Sequence, residues 1–315
     1  MAAVIPFDQR EGAIWFNGEI VDWKNAKVHV LTHGLHYGSC VFEGERAYAG
    51  KIFKSREHSL RFHKSAEIMD FKIPYSVEEL EAAKDKVVAL NGGGDQYVRP
   101  VAWRGSEMMA VSAQHNKIHV AIATWAWPSM FDPETKMKGI KLDIAEYRRP
   151  DPACAPVHAK AAGLYMICTI SKHEAERNGY QDALMLDYRG RIAEATGANV
   201  FFVMNGEVHT PKPDCFLDGI TRKTVMDLAR ARQLKVIERA IMPEALRSVN
   251  APRAFWHPVI GKVNPMPTDA PRSLVKTGFV AFVLIAVMVA GCGRDAPPPP
   301  AKVDPPANPV ERAAR

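Results

Sequence analysis

The chain has 315 residues, of which 47% are hydrophobic and 24% are charged. That composition is typical of a globular protein and excludes a wholly disordered, collagen-like or disulfide-stapled chain. The net charge is +6, but residues 251–315 hold eight basic and four acidic residues and so carry most of it. A basic tail on a near-neutral body gives no support for a nucleic-acid partner, and the length predicts two domains.

The five cysteines indicate a reducing compartment. Their number is odd and no two of them form a C-x-x-C pair, which argues against a disulfide framework and against a zinc site. We therefore predict no metal centre. Residues 1–10 show no basic start followed by an apolar run, so no secretory signal is predicted and a cytoplasmic location is expected.

The first predicted elements are a hairpin and a helix. Residues 13–21 predict the hairpin, because Asn17-Gly18 supplies the two positive φ angles that a tight turn needs. Residues 55–70 predict the helix, with Ser55 as its N-cap.

A second helix is predicted over residues 76–90, opened by the capping-box pattern of Ser76 and Glu79. Strands are predicted at 96–101 and 118–123, where apolar and β-branched residues dominate.

The second half predicts a different run of elements. Five strands, two helices and a further Asn-Gly turn are expected there. In chain order they cover 140–147, 160–177, 182–187, 199–210 with its turn, 221–233 and 235–241. Helices mixed with hairpins predict an α+β fold, without a regular βαβ repeat. The predicted organisation is a small N-terminal domain at 1–130, a linker at 131–138, a large domain at 139–250 and a distinct tail at 251–315.

Three polar features stand out in the predicted large domain. Lys160 lies among small residues, Glu194 precedes a buried strand, and Gly219-Ile220-Thr221 enters a helix whose first N–H groups can bind phosphate. Taken singly, each also has an ordinary interpretation: a surface lysine, a capping carboxylate and a helix cap. No Gly-x-Gly-x-x-Gly, Walker, zincin or nucleophile-elbow motif accompanies them.

Six separated motifs give these features a common explanation. They are His33-Gly-Leu-His-Tyr37-Gly-Ser-Cys-Val-Phe42-Glu43-Gly44-Glu-Arg46, Arg56-Glu-His-Ser-Leu-Arg61, Tyr97-Val-Arg99-Pro100, the Lys160 segment Pro156-Val-His-Ala-Lys160-Ala-Ala-Gly163-Leu-Tyr165, the Glu194 segment Arg191-Ile-Ala-Glu194-Ala-Thr196-Gly197-Ala-Asn199-Val-Phe-Phe202, and Gly219-Ile-Thr-Arg222. In that order they resemble the fold-type IV, pyridoxal-phosphate-dependent branched-chain aminotransferases, over about residues 15–247. The resemblance implies a two-domain enzyme with pyridoxal 5'-phosphate as cofactor.

The resemblance also implies roles at the cofactor. Lys160 matches the lysine that forms the internal Schiff base and shuttles a proton. Glu194 matches the carboxylate that pairs with the pyridine nitrogen, and Tyr165 matches the hydroxyl near the phenolic oxygen.

For the cofactor phosphate, the resemblance implies one side chain and one helix start. Arg61 matches the phosphate-binding arginine, whose guanidinium suits phosphate geometry. Ile220 and Thr221 match the residues whose backbone N–H groups hold the phosphate.

The implied substrates are leucine, isoleucine and valine with 2-oxoglutarate, giving branched 2-oxo acids and glutamate. Residues of the small domain match the pocket lining, namely Tyr37, Phe42, Arg46, Tyr97 and Arg99. The family assembles as homodimers or larger homo-oligomers, so a homo-oligomer is expected. Alternatives are a D-amino-acid aminotransferase, an aminodeoxychorismate lyase, or a non-catalytic relative with an altered C-terminus.

The resemblance stops after Arg247, where the family's Gly-Thr-Ala-Ala-Glu type of segment is missing. Residues 278–292 are instead an apolar run that resembles a lipoprotein signal, with a buried C-terminal helix as the alternative. The proline-rich end from Gly293 predicts disorder. We therefore expect an incomplete large domain, weak cofactor retention and low activity. Membrane association through the tail is an alternative that an internal signal does not normally support.

Overall fold

The computed structural model describes residues 5–127 and 139–246, together with the backbone of Leu284–Ile285. This part of the chain divides into two compact units. The first contains residues 5–127 and the short segment 159–163, and the second contains residues 139–158 and 164–246. The short segment returns the chain around Lys160 to the first unit.

An antiparallel sheet of seven strands forms the frame of the first unit. Its strands are β1 (Ala13–Phe16), β2 (Glu19–Asp22), β3 (Cys40–Phe42), β4 (Glu45–Tyr48), β5 (Lys51–Ile52), β6 (Gln96–Arg104) and β7 (Ile118–Trp125). Their order is β2-β1-β7-β6-β4-β5, and β3 also pairs with β6. The predicted hairpin is confirmed, because Asn17 and Gly18 join β1 to β2 at φ values of 52° and 99°.

Three helices accompany this sheet: α1 (His33–Tyr37), α2 (Ser55–Ile68) and α3 (Val77–Leu90). The predicted capping box of α3 is confirmed, since the Ser76 hydroxyl accepts from the Glu79 N–H and the Glu79 carboxylate accepts from the Ser76 N–H. The prediction of Ser55 as N-cap of α2 is wrong. Lys54 holds that position in a left-handed conformation, and Ser55 is already helical.

The described residues of the second unit form two sheets and two α-helices. Strands β8 (Leu142–Ile144), β9 (Asp182–Leu186) and β10 (Ile192–Ala195) form one sheet, ordered β10-β9-β8. Strands β11 (Val200–Met204), β12 (Glu207–Pro211) and β13 (Val236–Arg239) belong to the other, and helices α4 (Met166–Arg177) and α5 (Ile220–Ala231) complete the unit. A buried apolar cluster that includes Leu142, Leu184, Ile192 and Phe202 joins strands of both sheets.

The helix predicted over 160–177 begins six residues later, at Met166. The backbone at Lys160 is committed to other partners, because its N–H donates to the Ser65 hydroxyl and its carbonyl accepts from the Phe42 N–H. Ala161 bridges Val41 in the same way, and a single 3-10 turn at Ala162–Tyr165 then leads into α4. A backbone held by sheet-like partners cannot also make helical hydrogen bonds.

Other predicted elements keep their type but differ in length. The strands predicted at 96–101 and 118–123 are longer and end at Arg104 and Trp125. The strand predicted at 140–147 is reduced to Leu142–Ile144, and that at 235–241 to Val236–Arg239. The predicted class, α+β, is confirmed by this mixture of helices with antiparallel and parallel strand pairs.

The tail lies outside the described residues except for Leu284–Ile285, whose backbone pairs with Val200 and Phe201 of β11 as strand β14. The linker predicted at 131–138, the signal-like run and the disordered end therefore stay predictions. Within the described residues, no helix combines the length and the apolar character needed to cross a membrane.

Candidate active site

Lys160 lies in the segment that belongs to the first unit. Its ammonium nitrogen is 5.0 Å from the centroid of the Phe42 ring. The backbone hydrogen bonds to Ser65 and Phe42 fix the main chain on both sides of this side chain. Lys160 is partly buried, so it combines a fixed backbone with an amine near an aromatic face.

A second cation shares the Phe42 ring. The guanidinium carbon of Arg99 lies 4.6 Å from the same centroid. An aromatic face attracts cations electrostatically, and two basic side chains lie near the Phe42 ring. The first unit therefore brings three of the predicted site residues, Lys160, Phe42 and Arg99, into one cluster.

Tyr97 belongs to this cluster through a hydrogen bond. Arg99 Nη2 donates to the Tyr97 hydroxyl at 2.7 Å. A Cβ atom on Gly44 would overlap that hydroxyl, which explains the glycine in the Phe42-Glu43-Gly44 motif.

Arg46 and Tyr37 have other neighbours in the first unit. Arg46 Nη1 donates to the backbone carbonyl of Trp127 at 2.8 Å, and the Trp127 ring lies 4.8 Å from that of Tyr97. Tyr37 is exposed and stacks on His33 at 4.5 Å. Trp127 is an aromatic neighbour of the cluster that the motifs did not identify, because it lies beyond their limits.

Arg61 is held by a buried carboxylate. Its Nε and Nη2 donate to the two oxygens of Glu43, each at 2.7 Å, and His58 Nδ1 lies 2.7 Å from the same carboxylate. Burial alone would raise the pKa of Glu43, but Arg61 and His58 together outweigh it and hold that pKa at about 2. Glu43 is thus an anion without solvent contact, and it fixes the plane of the guanidinium.

The second unit holds Glu194 between two donors. Arg149 Nε lies 3.3 Å from Glu194 Oε1, and Asn199 Nδ2 donates to Oε2 at 3.2 Å. The Arg149 side chain is 4% exposed and also donates to the Leu164 carbonyl at 3.3 Å. A buried guanidinium therefore lies beside the Glu194 carboxylate, and an ionised carboxylate is the group that can hold a proton on a pyridine nitrogen.

Tyr165 follows Leu164 directly, at the junction between the 3-10 turn and α4. The bond from Arg149 to the Leu164 carbonyl therefore connects the Glu194 ion pair with the backbone beside Tyr165.

Ile220 and Thr221 form the first turn of α5, as the motif implied. Gly219 precedes them and has no side chain that could cap the helix. Arg222 fixes this turn from behind: it is buried and donates to Asp218 at 2.9 Å and to Glu238 at 2.7 Å. An uncapped helix start of this kind favours an anion.

Three polar residues of these clusters received no role from the sequence: Glu43, Arg149 and Asn199. A signal was available for two of them, since Glu43 lies inside the Phe-Glu-Gly motif and Asn199 lies inside the Glu194 segment. Arg149 had no such signal, because it lies outside both motifs.

Comparison with known proteins identifies the family. The model of the amino-transferase class IV family matches residues 40–254. The match includes the clusters around Phe42 and Glu194 and the start of α5. This chain belongs to the class IV aminotransferase family.

Within that family the chain is similar to branched-chain aminotransferases. A probable branched-chain-amino-acid aminotransferase of Rickettsia conorii is 43% identical over 74% of this chain and 79% of that protein. The solved structure of the Escherichia coli branched-chain amino acid aminotransferase has a TM-score of 0.74 and 36% identity, covering 76% of this chain and 81% of that chain. A solved aminotransferase of Brucella abortus, bound to pyridoxal 5'-phosphate, has a TM-score of 0.67 and 30% identity, covering 76% and 85%. The resemblance to fold-type IV branched-chain aminotransferases is thereby confirmed.

Proposed function

We propose that this chain transfers the amino group of leucine, isoleucine or valine to 2-oxoglutarate, using pyridoxal 5'-phosphate bound at Lys160. One observation carries the proposal: the Lys160 amine and the Arg99 guanidinium share the Phe42 ring. That cluster combines a nucleophile, an apolar surface and a carboxylate-binding group. The names of the branched-chain relatives and the pyridoxal 5'-phosphate in the Brucella abortus structure support it.

The described residues fit the chemical demands of this cofactor. Pyridoxal 5'-phosphate needs an amine, a carboxylate for its ring nitrogen and donors for its phosphate. Lys160 provides the amine, Glu194 the carboxylate, and Arg61 with the uncapped start of α5 the donors. When bound, the cofactor supplies an aldehyde that condenses with amines and a ring that accepts electrons.

Each of these residues then has a defined task. Lys160 attacks as a neutral amine and afterwards moves the proton of the substrate Cα. Glu194 keeps a proton on the ring nitrogen, and Tyr165 hydrogen-bonds the phenolic oxygen. Arg61 binds the phosphate through its guanidinium, and the N–H groups of the first turn of α5, which carries Ile220 and Thr221, bind it through the backbone.

The substrate side of the proposal rests on the first unit. Phe42 and Tyr97 offer aromatic surface to a branched side chain, and Tyr37 and Arg46 are further candidates for the lining. Arg99 Nε is buried and has no hydrogen-bond partner among the described residues. A buried donor of this kind suits the second carboxylate of glutamate or 2-oxoglutarate.

Chemical trapping tests the lysine. The full chain is incubated with pyridoxal 5'-phosphate, reduced with borohydride and digested for mass spectrometry. We expect the added mass on the peptide that contains Lys160, and its loss in Lys160→Ala. Lys64→Ala is the matched control, because Lys64 is a surface lysine paired with Glu67 at 3.1 Å. Labelling at another lysine, or none at all, would contradict the proposal.

A substrate panel tests the reaction. We expect amino transfer from L-leucine to 2-oxoglutarate to exceed activity with D-alanine or aminodeoxychorismate. Preference for D-alanine would favour a D-amino-acid aminotransferase, and preference for aminodeoxychorismate a lyase. Inactivity with all three, despite a labelled Lys160, would favour the non-catalytic relative.

The tail affects how much cofactor the purified chain keeps. A segment that normally contributes to phosphate binding has no counterpart in the sequence after Arg247, so we expect weak retention and low turnover. Absorbance of the purified protein measures the ratio of cofactor to chain. A ratio of one with turnover typical of aminotransferases would show that the tail does not impair the site.

We further propose a homo-oligomer, at least a dimer. Apolar side chains of two neighbouring segments are exposed in the first unit, including Val30, Leu35 and Val111. His33 Nε2 lies 2.9 Å from the Ala110 carbonyl and so holds the segments together. Exposed apolar surface of this kind marks protein interfaces. Light scattering at micromolar concentration tests this, and a monomer at every concentration would contradict it.

A cytoplasmic location is the remaining part of the proposal. The four described cysteines, Cys40, Cys154, Cys168 and Cys215, are free thiols, as expected in a reducing compartment. Cell fractionation tests it, and recovery of the protein in the membrane fraction would instead favour anchoring through residues 278–292.

A further inference from the structure

The side-chain amide of Asn199 connects two parts of the second unit. Its Nδ2 atom donates to Glu194 Oε2 at 3.2 Å and to the backbone carbonyl of Leu217 at 3.2 Å. Leu217 lies three residues before the start of α5 at Ile220. An amide nitrogen carries two hydrogens, so both bonds can form at the same time.

We infer that Asn199 is a positioning residue that sets the spacing between the Glu194 carboxylate and the phosphate-binding start of α5. This inference rests on the proposed function, in which those two groups would hold the ring nitrogen and the phosphate of one cofactor. The ring nitrogen and the phosphate belong to one small molecule, so only a limited range of distances between the two protein elements would suit both. A residue bonded to both protein elements therefore determines whether both contacts form at once.

Gly219 supports this assignment from the other side. A Cβ atom at Gly219 would overlap Asn199 Oδ1, so the turn before α5 approaches the amide as closely as a glycine allows. Its φ is −60°, so the backbone conformation itself does not require glycine. The close approach to Asn199 is the reason that the structure gives for glycine at this position.

The chemistry of the side chain also fits the position. A neutral amide can donate to a carboxylate and a carbonyl without adding charge beside Glu194. Aspartate has the same shape, but it would place a second anion against Glu194 and offer no N–H donor. Arg149 already balances the charge of Glu194 from its other oxygen, so the task left at Oε2 is orientation.

Equilibrium binding to the apo-protein tests the inference. Asn199→Ala is compared with the wild type and with Thr210→Val for pyridoxal 5'-phosphate and for pyridoxal, which lacks the phosphate. Thr210 is the matched control, because its buried hydroxyl donates to the Val200 carbonyl at 2.8 Å in the same unit. Melting of each apo-protein shows how much stability each lost hydrogen bond costs.

If Asn199 sets the spacing, its removal weakens pyridoxal 5'-phosphate more than pyridoxal. We expect the dissociation constant for pyridoxal 5'-phosphate to rise about tenfold and that for pyridoxal about threefold, the loss expected for one or two hydrogen bonds. Thr210→Val should change both dissociation constants by less than about twofold, even if it lowers the melting temperature as much as Asn199→Ala does. Should Asn199→Ala fail to fold, Asn199→Ser gives the same comparison with a smaller cavity.

Two results would overturn the inference. If Asn199→Ala weakens the binding of both ligands equally, Asn199 orients only Glu194. If its affinities equal those of Thr210→Val, Asn199 has only a structural role. Failure of the proposed function looks different, since the wild type itself would then bind no pyridoxal 5'-phosphate and Lys160 would stay unlabelled.

Discussion

Glu43 and Arg61 meet through two parallel hydrogen bonds, from Nε to Oε1 and from Nη2 to Oε2, each 2.7 Å long. The carboxylate is fully buried, while 18% of the arginine side chain is exposed. The pair therefore presents one edge of a fixed guanidinium. Glu43 thus orients Arg61, which is the proposed ligand of the cofactor phosphate. Glu43 lies inside a sequence motif, but the motif gave it no role.

Glu43→Gln should destabilise the protein strongly. The substitution removes a fully buried counter-charge from Arg61, whose side chain is itself only 18% exposed, and this costs on the order of 3 kcal/mol. Urea unfolding of the apo-protein measures the loss. Glu57→Gln is the control: its ion pair with Lys54 is also 2.7 Å long but lies on the surface, so we expect a change below about 0.5 kcal/mol. Equal effects of the two variants would contradict the importance of burial here.

Stability should depend on acid through the same carboxylate. The pKa of Glu43 falls from its ordinary value of 4.5 to about 2 in the folded protein. A lowered folded-state pKa stabilises the protein above the unfolded value, and this contribution is lost as the pH falls from about 4.5 to about 2. The free energy of unfolding of the wild type should decrease more steeply there than that of Glu43→Gln, by up to about 1.4 kcal/mol per pH unit. Parallel curves would show that Glu43 does not titrate in this window.

Gly44→Ala should impair substrate binding through Tyr97. The new Cβ atom would overlap the Tyr97 hydroxyl, displacing the ring and breaking its hydrogen bond with Arg99. We expect kcat/KM for L-leucine to fall about tenfold, which corresponds to roughly 1.4 kcal/mol. The double variant Gly44→Ala with Tyr97→Phe lacks the overlapping hydroxyl. Its kcat/KM should therefore equal that of Tyr97→Phe alone. A double variant that is worse than either single change would point to another cause.

The cysteines should differ in reactivity. Burial raises the pKa of Cys40 to about 12, that of Cys168 to about 11 and that of Cys215 to about 12, whereas Cys154 is exposed. Because the thiolate is the reactive form, we expect iodoacetamide to modify Cys154 first among these four. Peptide mass spectrometry over a time course measures the rates. Faster labelling of Cys168 or Cys215 in the folded protein would contradict their burial.

Local sequence determined much of the secondary structure and the family. The Asn17-Gly18 turn and the Ser76 capping box are short-range features, since each depends on residues within a few positions of one another. The same holds for the motifs around Phe42 and Glu194, which indicate the family from local sequence alone. Patterns of this range are written into the chain and need no tertiary information.

The tertiary structure decided what supports the site. Lys160 lies outside the helix that was predicted to begin there, because Ser65 and Phe42, which are distant in the chain, bind its backbone. Arg149 reached Glu194 across 45 positions, and Asn199 connected that carboxylate to the turn before α5. Hydrogen bonds between segments that are distant in the sequence depend on the tertiary fold, so local propensity does not predict them. The sequence by itself thus determined the family and the residues proposed for the site, and the fold determined which residues hold them in place.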